Sequence, residues 1–182
     1  ITWLANANLA ATNTFGVSGI AASGAMNWST ANAWIAAMNA SNGGAGYLGY
    51  NDWRLPKTPL IDSTCADQHG GGFSSGINCT GSELGHLFYT ELGGSALSPI
   101  SASLDPDKAL FTNLQDDGYW SGDFDAADAQ VFVNTYGIQG PDQKILGYFV
   151  VPVRDNVPVP AAAWLFGGAL AALVSFRRKA RA

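Results

Sequence analysis

The sequence predicts an α+β body over residues 1–155, with two helices and a small, twisted, mainly antiparallel sheet, and then a single transmembrane helix near the C-terminus. Three observations carry this. Apolar residues recur at helical spacing in 28–38 and 82–92. Short β-forming runs follow one another after residue 110, and helices early with strands late argue α+β. Residues 161–176 are apolar and free of charge, and Arg177, Arg178, Lys179 and Arg181 come directly after them.

Along the chain, residues 1–5 (ITWLA) read as a short strand, and 6–24, small and polar, as a connection. In 28–38, Trp28, Ala31, Trp34, Ile35 and Met38 line one helical face. Asn27 or Ser29 can cap its first turn, and Asn42-Gly43-Gly44 stops it. In 47–56, Asn51-Asp52 marks a turn, Trp53 and Leu55 share one side of an extended segment, Arg54 takes the other side and Pro56 ends it. Thr80-Gly81-Ser82-Glu83 fits a capping box, with hydroxyl and carboxylate satisfying first-turn N–H groups. It opens the helix 82–92, whose stripe is Leu84, Leu87, Phe88 and Leu92, with His86 off that stripe. Residues 95–108 read as loop, then 110–114, 119–124 and 129–136 as strands. Gly140-Pro141-Asp142 reads as a turn and 145–153 as the last strand. In 129–136, Val131 and Val133 alternate with Phe132 and Asn134, which predicts one buried face and one partly exposed.

Charge is unevenly placed. All 14 acidic residues lie ahead of Val157 with only five basic ones (Arg54, Lys57, Lys108, Lys144, Arg154), a net of −9, whereas the whole chain carries −5. A body this acidic repels nucleic acid, anionic lipid and sulfated glycans. Cys65 and Cys79 close a loop of about 15 residues, for which a disulfide is worth about 3 kcal/mol. The intervening ADQHGGGFSSGIN reads as a loop without helix or strand, with His69 solvated in it. The competing reading, a metal site of Cys65, His69 and Cys79, lacks a fourth ligand and any CxxC spacing.

From Pro160 to Phe176 the apolar run reaches roughly 26 Å as a helix, at the short end of what crosses a core of about 30 Å. Pro160 suits the first turn, and the cations behind the run place that end in the cytoplasm and the body outside the inner membrane. A cleaved signal upstream of Ile1 is expected with such a topology. The order Val157-Pro158-Val159-Pro160, apolar helix, arginine-rich end resembles the PEP-CTERM type of bacterial sorting signal. In the common form Glu stands between the prolines where this chain has Val159, as in a VPxP variant class. The resemblance implies processing by an exosortase, an intramembrane transpeptidase that releases or re-anchors its substrates. The chain then divides into the body 1–155, a linker and sorting motif 156–160, a transmembrane helix 161–176 and a basic tail 177–182.

A second resemblance covers about residues 1–155. Asp52-Trp53-Arg54-Leu55-Pro56 after a Trp28-containing helix, Tyr119-Trp120-Ser121 and the closing Val151-Pro152-Val153-Arg154 stand in one order. They are similar to the domain at the C-terminus of the Legionella collagen-like adhesin. Ile1-Thr2-Trp3-Leu4 and Ser82-Glu83-Leu84-Gly85-His86 resemble an exported subgroup of that family that often carries PEP-CTERM tails. The resemblance implies a C-type-lectin-like fold. The namesake binds sulfated glycans through basic surfaces, which this chain lacks. Trp53, Tyr119 and Trp120 are expected in the core with their polar ends bonded, and Arg54 and Arg154 in ion pairs with acids such as Asp52 or Asp117.

Catalytic motifs are missing: there is no Gly-x-Ser-x-Gly, no phosphate loop, and the two His are not at metal spacing. Asp116, Asp117, Asp123, Asp125 and Asp128 offer hard oxygen ligands for Ca²⁺, the one cofactor the sequence suggests, but their spacing matches no calcium loop and a solvated acidic loop is the preferred reading. The expectation is a non-enzymatic surface or extracellular-matrix protein, anchored in the inner membrane before processing and then at the cell surface or outside it. It would engage a glycan or protein ligand, or assemble with itself, and no nucleic acid. The alternatives are an enzyme like the formylglycine-generating group, with Cys65 and Cys79 as reactive thiols, and a surface-filament subunit.

Overall fold

In a computed structural model, residues 1–156 are described, apart from 71 and the side chain of residue 123. The residues expected to form a sorting motif, Val157, Pro158, Val159 and Pro160, the helix expected over 161–176 and the cations Arg177, Arg178, Lys179 and Arg181 lie outside them. Among the described residues no helix is long and apolar enough to cross a membrane.

The body is mixed α+β. Helix α1 (Trp28–Ala40) forms on the predicted stripe: Ala31, Trp34, Ile35 and Met38 are buried. Asn27 caps it, its side chain accepting from Thr30 N at 2.9 Å. Helix α2 (Glu83–His86) is one short turn that continues as a π-helical turn, Leu87–Glu91, and buries Leu84, Leu87 and Phe88. The main sheet has the antiparallel order β4 (Gly118–Asp123), β5 (Asp128–Val133), β6 (Ile138–Gln143). Two small pairs complete the fold. Strand β1 (Thr2–Trp3) runs antiparallel to β7 (Val153–Arg154), so the two ends of the body lie side by side. Strand β2 (Asp67–His69) pairs with β3 (Phe73–Ser75).

The sheet separates two cores. On one face Trp120, Ala129 and Val131 cluster with Trp34, Ile35 and Met38 of α1. On the other, Tyr119 and Phe132 cluster with Leu84, Leu87 and Phe88 from the α2 segment. Alternating directions along a strand thus send successive residues of β4 and β5 into different cores. This corrects the expectation for 129–136: Ala129, Gln130, Val131 and Phe132 are all buried, because helices cover both faces of a central strand.

Four further expectations change. The cystine-closed segment is not a plain loop but the β2–β3 hairpin, in register Asp67↔Ser75, Gln68↔Ser74, His69↔Phe73, and its glycines supply the turn, with Gly72 at φ +86°. Residues 110–114 do not form a strand: the 3-10 turn Pro106–Leu110, capped by Asp105 through Asp107 N, runs into them and leaves Thr112 alone to bridge Asn6. Gly140-Pro141-Asp142 lies inside β6 instead of turning. Pro141 is tolerated in a strand at the edge of the sheet order, and the turn falls just before β6, where Gly137 has φ +66°. Residues 145–153 give isolated bridges, Met26↔Tyr148 and Tyr119↔Phe149, before β7.

Cys65 and Cys79 form a buried disulfide that closes the hairpin at its base. Replacing both with Ala should lower the urea unfolding free energy by about 3 kcal/mol, the loop-closure value for this span. Equal midpoints for the two proteins would show that the hairpin is held by its hydrogen bonds alone.

Candidate functional site

Arg54 and Arg154 lie where β1 and β7 pair, at the two ends of the described body. Arg54 bridges Val153 through its backbone, N to O at 2.9 Å and O to N at 3.0 Å, which adds a third segment beside β7. Its guanidinium forks onto Glu83: Nη1 to Oε2 at 2.8 Å and Nη2 to Oε1 at 2.9 Å. Nη2 also donates to Asp155, and Nη1 to the Leu55 carbonyl at 3.1 Å. Planar bidentate pairing of this kind is a strong form of ion pair. The bond to Glu83 is the largest cause of an upward push on the Arg54 pKa, which keeps the side chain charged. Glu83 further accepts from Lys57 N at 2.7 Å. Thus Glu83 does not fold back as a capping box with Thr80. Ser82 is the cap, its Oγ accepting from Gly85 N at 3.0 Å, and Glu83 is free to face Arg54. Of the partners expected for the two arginines, Asp52 takes Arg154, at 2.9 Å from Nε, and the Arg154 guanidinium lies 3.7 Å over the Tyr50 ring. Asp117 instead accepts from Gly118 N.

The motif aromatics are buried with their polar ends bonded. Trp53 Nε1 donates to Tyr47 O at 3.1 Å, and Trp120 Nε1 to Met26 O at 2.8 Å. The Tyr119 hydroxyl accepts from Gln115 N at 2.9 Å, and burial raises that phenol well above its usual range. Ser121 shares a 2.6 Å hydrogen bond with Thr58. Leu55 packs against the α1-side core and Pro56 is buried. These residues pack the interior rather than line a cleft.

The five aspartates fall into two groups at opposite ends of β4. Strand β4 sets Asp116 and Asp117 before its start and Asp125 and Asp128 beyond its end, with Asp123 as its last residue; six residues of strand span about 20 Å. Asp116 caps Ser101 N, and Asp125 accepts from Ala127 N and Asp128 N, which hold its pKa below the ordinary carboxylate range. Among the described residues the one group of acids and thiols within metal-binding reach is Asp62, Cys65 and Cys79. Its sulfurs are joined to each other, and both Asp62 oxygens are taken, by Gly81 N and by Thr64. His69 is not part of it: the ring stacks on Phe73 at 4.3 Å and bonds Ser75 Oγ. His86 is exposed, 3.5 Å from Glu91. The cystine leaves no thiol for nucleophilic chemistry.

What remains is a surface suited to contact. A groove of about 490 Å³ opens among Ile100, Pro106, Ala109, Phe111 and Leu114, with Leu104 almost fully exposed on its rim. Its wall is fixed by Lys108, whose ammonium donates to the carbonyls of Ser101 (2.7 Å) and Ser103. Sequence reading missed the groove because 95–108 lacks any periodic pattern. It also missed Glu83 and Asp155 as partners of Arg54, for which the scarcity of cations was the one available signal. No family model matches the chain, and no curated protein or solved structure matches it either.

The junction gives an acid-dependent stability. Arg54 holds the Asp155 carboxyl below its usual range, chiefly through their hydrogen bond. The unfolded chain therefore takes up the proton first as pH falls. The stabilisation is complete above the unfolded value of about 3.9 and is lost as pH drops through the lower folded one. Asp155→Asn should unfold more easily than wild type at pH 6, with the two converging toward pH 2 in urea titrations. A gap that stays constant with pH would contradict this.

Proposed function

We propose that this chain is a non-enzymatic exported protein of the cell surface or extracellular matrix. A lectin-like body over 1–155 binds or assembles, and a PEP-CTERM-type tail sorts it. The observation that carries the reading is the pairing of β1 with β7, which closes the body just before the exposed Asp155 and Asn156, so that the chain leaves it at the surface where a sorting tail would follow. Two further features support it. The only cysteines are joined in a buried cystine, which favours a structural staple over the reactive thiol pair of a formylglycine-generating-like enzyme. The net −9 of the first 156 residues disfavours nucleic acid and sulfated glycans as ligands.

The partners in this reading are the inner membrane, through the apolar run 161–176, an exosortase-type enzyme at Val157-Pro158-Val159-Pro160, and a neutral glycan or protein ligand. The exposed rim of Leu104 favours protein contact, including self-assembly into a filament, as the second form of the same reading. Tags at the start of the body and at the C-terminus, followed through cell fractionation in an exosortase-bearing host, test it. The expected result is the first tag outside the cell with the second removed. Both tags together in the cytoplasm would overturn the proposal.

A further inference from the structure

One face of the sheet buries amide groups that the protein leaves without partners. Gln130 in β5 is fully buried, and neither its Nε2 nor its Oε1 has a hydrogen-bond partner. Gln139 in β6 is buried as well. Its Oε1 is unpartnered and its Nε2 lies 4.0 Å from the Cys65 sulfur, too soft an acceptor to satisfy an amide. The register Gln130↔Pro141 and Phe132↔Gln139 makes the two glutamines diagonal neighbours on one face, yet no hydrogen bond joins their side chains. The cystine stands over Gln139, and the Ser121 and Thr58 hydroxyls, already bonded to one another, stand beside β5.

Buried polar side chains in folded proteins find partners in the protein or in ordered water. The protein has little left to offer here. The backbone of β5 is committed to ladders with β4 and β6, and both oxygens of nearby Asp62 are occupied. The orphaned groups include donors as well as acceptors and carry no charge. A small, neutral ligand able both to give and to take hydrogen bonds satisfies this mixture of donors and acceptors, which an ion of one sign does only in part.

We propose that the seam between β5–β6 and the cystine-closed hairpin is an internal water site, with at least one long-lived water accepting from Gln130 Nε2 and donating to Gln139 Oε1. The hairpin then rests on the sheet through a hydrated contact, not a dry one.

Nuclear Overhauser spectroscopy between water and protein on the full, isotope-labelled chain tests this directly. The Gln130 side-chain amide protons should show cross-peaks to a water held for longer than a nanosecond. Oxygen-17 relaxation dispersion should count at least one fewer long-lived water in Gln130→Met than in wild type. Cross-peaks from Gln130 to protein protons alone, or equal water counts in the two proteins, would overturn the proposal. Should Gln130→Met fail to fold, the cross-peaks of the wild-type chain decide the matter by themselves.

Discussion

The Arg54 guanidinium is the constraint on which the rest of this fold leans. Three stretches distant in sequence meet at this residue: its own segment 52–56, the start of α2 through Glu83 on the guanidinium, and the close of the body, through Val153 on its backbone and Asp155 on the guanidinium. Val153 in turn carries β1 on its far side, so the first residues of the body are held at one remove from the same cation. Two carboxylates and a carbonyl answer this half-buried charge, and removing Glu83 takes away its bidentate partner and leaves only the exposed Asp155 to face it. In a body with five cations and fourteen acids, each cation is a scarce organiser. Lys108 has the same role in the 3-10 segment, gathering carbonyls as a cation does at the end of a helix.

Above this junction the sheet works as a partition. Tyr119 and Trp120, adjacent in β4, face opposite cores, and each binds its polar end internally. The aromatic contacts around Trp120, to Trp28 at 5.5 Å and Tyr148 at 4.9 Å, are edge-on, the arrangement such rings prefer. Burial and a hydrogen bond to Asp142 push the Tyr148 phenol up to about 12, so this side chain stays neutral across the physiological range. The hairpin is then an accessory laid against β6 through the Gly76↔Gln139 bridge and fastened by the cystine.

How much of this was legible in the sequence follows from the range of the forces involved. Helix α1 was readable because its stripe and its Asn27 cap are local, and the cysteine pair because a redox-stable loop closure needs nothing else. The α2 segment was placed by its leucines, but its cap was assigned to Thr80. The pattern Thr-x-x-Glu is local, whereas the demand of Arg54 for Glu83 comes from 29 residues away. Strand β6 was hidden for a similar reason: Gly-Pro-Asp is turn chemistry unless a partner strand of valine and phenylalanine fixes it in register. The hairpin was hidden by glycines that signal flexibility in isolation and a turn once closed. Of the candidate site, the burial of Trp53, Tyr119 and Trp120 follows from residue type, whereas Glu83 and Asp155 reach Arg54 only through the tertiary fold. The groove at Ile100–Leu114 was not legible, since non-repetitive turns leave no periodic trace.

A double-mutant cycle on Arg54→Met and Glu83→Gln, read by urea unfolding at neutral pH, tests the central claim most directly. If this ion pair joins α2 to the paired ends of the body, the two substitutions will be coupled by about 0.5–3 kcal/mol, the range for contacting residues of one network. Losses that simply add would mean that the two side chains act independently and that the body is closed by its backbone ladders and core alone.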